Sequence, residues 1–160
     1  MPIDLDFQRV PVDSGDGATL VTAMAGEMRE LYWDVRGGLD LDAPDMPKAG
    51  PGELGPPTGT FLVGYSDGRA VCGGGLKRLP DGACEIKRMY VVPDARGQGV
   101  ARVLLHALED AARELGYRIA RLDTGPRQGH AQRMYEAEGY RPIDNFNANP
   151  VATFFGEKQL

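Results

Sequence analysis

Glu85-Ile-Lys-Arg-Met-Tyr-Val-Val-Pro-Asp-Ala-Arg96-Gly-Gln-Gly-Val-Ala-Arg102-Val-Leu-Leu105 is the stretch whose reading decides the fold. Its first half is rich in β-branched and apolar residues, as a strand requires. Pro93-Asp94 ends that strand, Gly97 and Gly99 free the backbone, and a strongly periodic helix follows. A strand, a glycine-bearing turn and a helix N-terminus together make a seat for an anion, because the first helical N–H groups have no partner inside the helix.

Working outward, Thr60–Tyr65 and Arg69–Lys77 read as two strands joined at Ser66-Asp67-Gly68, a strong hairpin signal. Leu79-Pro80-Asp81-Gly82 leads from the second of these into the Glu85 strand, giving an antiparallel meander. Cys72 and Cys84 do not face each other across that turn and read as reduced core residues. Beyond the glycine turn, Val100, Val103, Leu104, Ala107, Leu108, Ala111 and Leu115 form one helix face, capped by Gly116. Tyr117–Thr124 is the next strand, broken by Gly125-Pro126. A short helix follows over Ala131–Ala137, and the tail has strands near Tyr140–Ile143 and Val151–Lys158.

On the N-terminal side, Asp4–Val10 alternates as a short strand. Ser14 to Gly17 offers cap chemistry, and Leu20, Met24, Met28 and Leu31 recur at helical spacing, with a stop expected near Gly37-Gly38. Leu39–Thr58, rich in proline, glycine and acids, reads as a long loop with one short helical turn, of the kind that covers a site. The order β-α-loop-β-β-β-α-β-α-β-β defines an α/β fold with a mixed sheet. At 160 residues and 42% hydrophobic, a single domain over residues 1–160 is expected.

No apolar run approaches the roughly 20 residues of a membrane span, and the N-terminus lacks signal-peptide features, so a cytoplasmic protein is expected. The net charge of −5 argues against a nucleic-acid partner. Residues 1–66 carry eleven acids and four bases, a net of −7, whereas residues 67–160 carry a net of +2. An anionic ligand therefore suits the second part and a cationic one the first. Two cysteines, His106 and His130 give no spacing that resembles a metal site. These residues leave the oligomeric state open, a homodimer included.

The glycine turn has no Gly-Lys-Ser/Thr ending, which excludes a P-loop. A dinucleotide fingerprint fails because Arg102 stands where Gly or Ala is needed. Arg96-Gly97-Gln98-Gly99-Val100-Ala101 instead satisfies Arg-x-x-Gly-x-Ala. Small residues at Gly97, Gly99 and Ala101 let a pyrophosphate approach the amides of Gln98 through Arg102.

With Met134-Tyr135-Glu136-Ala-Glu-Gly-Tyr140 downstream, this stretch resembles the GNAT N-acetyltransferase superfamily, strongly over about residues 60–143. The resemblance extends to Glu-Ile-Lys-Arg-Met-Tyr-Val-x-Pro and to Leu122-Asp-Thr-Gly125. It implies a sheet splayed between its fourth and fifth strands, with acetyl-CoA as acyl donor and no metal. Met89, Tyr90 and Val91 would pair with the pantetheine arm, and an amide near Met89 or Val91 would face the thioester oxygen. Gln128 stands where the superfamily often has Asn, and would contact CoA with a longer reach. Tyr135 matches the superfamily's general acid, with a core tyrosine as the alternative. Glu85 matches a catalytic glutamate of some members; an ammonium ligand, an edge salt bridge or a water chain compete with it as base. The acceptor implied is a primary amine of a small or amino-acid-like molecule, with Tyr32, Trp33 and Asn147 as pocket candidates. A protein acceptor and a CoA-binding module without turnover are the alternatives.

Overall fold

The computed structural model describes residues 3–35 and 39–160. Seven strands form one sheet: β1 (Asp6–Arg9), β2 (Thr60–Ser66), β3 (Arg69–Arg78), β4 (Cys84–Val91), β5 (Ile119–Thr124), β6 (Arg141–Pro142) and β7 (Phe154–Gln159). Three α-helices accompany them: α1 (Gly15–Leu31), α2 (Val100–Glu114) and α3 (Gly129–Ala137). The spatial order is β1-β2-β3-β4-β5-β7-β6, antiparallel throughout except for β4 and β5.

The alternation of β2 sorts its side chains into two cores. Phe61 and Val63 join Leu20 and Met24 of α1 and Leu54 of the long loop on one face. Leu62 joins Leu104, Leu105 and Leu108 of α2 on the other. The run Gly73-Gly74-Gly75 in β3 lets both layers press close. A Cβ at Gly73 would lie 2.9 Å from Leu20 Cδ1, and one at Gly74 would lie 2.9 Å from Leu108 Cδ1.

The pairing of β4 with β5 is confined to Cys84↔Ala120 and Glu85↔Arg121. From Ile86 onward the two strands diverge, which is the splay the resemblance implies. A second irregularity lies on the other edge of β4. Gly73 pairs with Tyr90 but Gly75 with Lys87, so Gly74 opposes two residues, and Arg88 of this bulge has φ +61°.

Two sequence expectations are corrected. Helix α1 ends at Leu31, with Tyr32 as its C-cap, so it stops short of Gly37-Gly38, which lie outside the described residues. The buried face of α2 is Val100, Leu104, Leu105, Leu108, Glu109, Ala111 and Ala112, rotated so that Val103 is exposed. The Leu39–Thr58 segment is a loop with a single-turn closure as expected, the Leu54 amide donating to the Gly50 carbonyl at 2.9 Å. Among the described residues no helix is long and apolar enough to cross a membrane.

Candidate active site

Two cavities open at the splay. The larger, about 420 Å³, runs along the exposed edge of β4 to the N-terminus of α2. Met89, Tyr90, Val91, Arg96, Gly97, Gly99, Val100, Ala101, Arg102 and Gln128 line it, with Met24, Met28 and Glu27 of α1 opposite. Gly97 and Gly99 have φ near +78°, which turns the chain sharply into the helix. Gly99 is the N-cap and supplies no side-chain bond, so the first-turn amides from Val100 to Arg102 have no side-chain cap among the described residues. A Cβ at either glycine would meet nothing within 4 Å, so the approach to these amides is open. The turn and the unpaired strand edge fit a pyrophosphate-bearing chain. Gln98 does not line this cavity; its amide nitrogen reaches the Asp94 carbonyl at 3.5 Å.

Arg96 braces the turn. It donates to the Val91 carbonyl and to Glu27, at 2.9 and 2.7 Å, and lies over the Tyr90 ring. Arg102 pairs with Glu138 at 2.7 Å. Gln128 Oε1 accepts from the Tyr32 hydroxyl and from the Gly125 amide, at 3.3 and 3.2 Å. Its Nε2 makes no hydrogen bond among the described residues and is available to a ligand.

The smaller cavity, about 140 Å³, shares Met24, Met28, Met89, Gln128 and Tyr135 with the larger one. Its own walls come from Tyr32, from Leu39, Leu41, Met46 and Pro47 of the long loop, and from Lys87, Arg88, Asp123 and Asn149. The loop therefore covers this chamber. Tyr135 is buried with its hydroxyl 3.7 Å from Met89 Sδ, and burial raises its pKa above that of an ordinary phenol. It is fully protonated near neutrality.

Glu85 is fully buried and lies behind the wall rather than on it. Its Oε2 accepts from Asn147 at 2.7 Å and from Lys87 at 3.1 Å, while Oε1 has no partner among the described residues. Desolvation raises its pKa, Lys87 opposes that rise, and the Asp123 charge adds to it. The Asn147 amide also donates to Asp123 at 2.8 Å, and Asn149 donates to the same oxygen at 3.0 Å. Glu85, Asn147 and Asp123 are thus one connected group, with Asp123 its cavity-facing end.

Trp33 is not brought to the site. It is 72% exposed and lines neither cavity, because α1 has already ended and its ring faces solvent. Asp123, Lys87 and Arg88 are site residues that strand patterning does not reveal. The Leu122-Asp-Thr-Gly125 run was the available signal for Asp123.

The family model described as "Acetyltransferase (GNAT) family" matches residues 25–140. That span includes the turn, the splay and Tyr135. The chain belongs to the GNAT acetyltransferase family. This GNAT chain is 35% identical to the IAA acetyltransferase of Azospirillum brasilense over 111 residues, 67% of this chain and 72% of that one. A Klebsiella pneumoniae structure assigned to the acyl-CoA N-acyltransferases superposes with a TM-score of 0.73 at 26% identity, covering 98% of this chain and 97% of that one. A GNAT acetyltransferase of Elizabethkingia anophelis with acetyl-CoA bound shares the fold, with a TM-score of 0.65, 14% identity and 98% of each chain covered. The enzyme class is acyltransferase.

Proposed function

We propose that this GNAT protein is an acetyl-CoA-dependent N-acetyltransferase that modifies a primary amine of a small, amino-acid-like molecule by direct attack in a ternary complex. The observation that carries the reading is Tyr135, the buried phenol common to the walls of a long cleft and a small chamber. The chamber's size and its loop cover favour a small molecule over a protein segment.

Acetyl-CoA supplies a thioester whose carbonyl carbon an amine can attack. The first-turn amides of α2 hold its pyrophosphate, and the β4 edge from Met89 to Val91 aligns the pantetheine arm. Asp123 receives the acceptor's ammonium group in the chamber. Glu85 takes the ammonium proton through a water at its unpartnered Oε1, leaving a neutral amine to attack. A β4 amide beside Met89 stabilises the oxygen that becomes negative. Tyr135 gives its hydroxyl proton to the departing sulfur.

Thiol release from acetyl-CoA, measured over a panel of small amines, tests this reading. An amine-dependent signal is expected. If CoA does not raise the melting temperature, or acetyl-CoA is consumed with no amine of the panel, the reading is wrong.

A further inference from the structure

We infer that the acceptor carries an oxyanion, a carboxylate or phosphonate, beside its amine, and that Arg88 binds it. This rests on the acetyl-transfer reading and adds the class of acceptor.

Arg88 occupies the bulge of β4 at φ +61°, a conformation unfavourable for a residue with a Cβ and found where function demands it. The bulge delivers its side chain to the small chamber and to an adjoining cavity of about 180 Å³ under the acidic loop. It does not line the long cleft, so the anion it awaits is not the pyrophosphate of CoA. Its Nε is buried with no hydrogen-bond partner, and Arg88 forms no ion pair among the described residues. Asp42 on the loop acts on it only through its field, and burial holds its pKa below the ordinary arginine range. A guanidinium whose Nε is desolvated and unsatisfied is costly unless an anion completes it, and its planar fork matches a carboxylate or phosphonate with two parallel bonds.

The same chamber presents Asp123 for a cation. Its volume of about 140 Å³ and its loop cover suit a small acceptor. A zwitterionic amine therefore answers both the Arg88 cation and the Asp123 carboxylate, whereas a simple alkylamine answers only the latter.

The test uses sets of primary amines of matched length bearing a carboxylate, a phosphonate or a neutral carboxamide, with thiol release giving kcat/KM for each. The parent protein should prefer a charged member over its carboxamide by about 10- to 100-fold, and the phosphonate arm distinguishes which oxyanion fits. Arg88→Gly relieves the backbone and removes the fork, so the charged-to-neutral ratio should fall at least tenfold; Arg88→Lys should recover only part of it. A rise in melting temperature with CoA verifies that each variant is folded. Equal use of carboxylate and carboxamide by the parent, or an unchanged ratio in folded Arg88→Gly, overturns the inference while leaving acetyl transfer intact. Absence of turnover with every amine overturns the acetyl-transfer reading and this one with it.

Discussion

Asn147 reaches from the tail loop to Glu85 on β4, with Nδ2 2.7 Å from Oε2. The same nitrogen lies 2.8 Å from Asp123 Oδ2, so one amide keeps two acids together across the open end of the sheet. Two neighbouring carboxylates repel, and a donor shared between them offsets part of that cost. Replacing Asn147 with Ala should cost about 1–3 kcal/mol in a denaturation experiment, because it removes one of the two donors to the buried Glu85 Oε2 and one of the donors to Asp123. It should also push the Glu85 pKa further up, moving the acid limb of the pH–rate profile to higher pH.

The raised Glu85 pKa has opposite effects on stability and rate. In the unfolded chain the carboxyl titrates near its ordinary value of about 4.3; in the folded chain it holds its proton to higher pH. Between those two values the folded state binds more protons, so this group's contribution to stability is complete below the unfolded pKa and is lost as pH rises through the folded one. Activity that needs the carboxylate rises over the same window. Glu85→Gln should flatten both dependences and lower kcat by about 10²- to 10⁴-fold. Melting temperature and kcat/KM followed together across pH check this; a retained acid limb in the variant would remove Glu85 as base.

Tyr135→Phe separates chemistry from cleft integrity. The ring remains against Met89 and edge-on to Tyr140, at 6.1 Å between centroids, so packing changes little. Turnover should fall by about 10²-fold or more for loss of the proton donor. The CoA-induced rise in melting temperature should persist. Parent-like turnover in this variant would assign the acid role elsewhere.

Much of this fold was legible because its signals are local. Asp67-Gly68, with φ of +49° and +77°, forms the turn that an Asp-Gly pair between two apolar runs announces. The Arg96–Ala101 turn is likewise a local pattern with one backbone solution. The buried face of α2 was displaced because Glu109, polar by type, is a core residue: Tyr140 and Lys158 come to it from elements far along the chain. Arg88 was illegible for a different reason. Its position follows from Gly73 and Gly75 pairing with β4 residues three apart, a mismatch between strands that neither strand's own pattern contains. Trp33, next to buried Tyr32, differs from it only in where α1 happens to stop.

The group around Glu109 gives a prediction about how Tyr135 is held. Glu109 is 2% exposed on α2, and it accepts 2.8 Å from the Tyr140 hydroxyl and 3.0–3.1 Å from Lys158 Nζ on β7. Lys158 also lies 5.6 Å from the centre of the Tyr140 ring. Removing the cation alone, as in Lys158→Met, leaves a buried carboxylate that Tyr140 only partly compensates, and should cost about 2–4 kcal/mol. Lys158→Met combined with Glu109→Gln removes the charge with its partner and should recover most of that loss. Because Tyr140 packs edge-on against Tyr135, the single variant should also reduce turnover more than CoA binding. Denaturant midpoints for the two single variants and the double variant check the coupling; additive losses would mean that the carboxylate and the ammonium act independently.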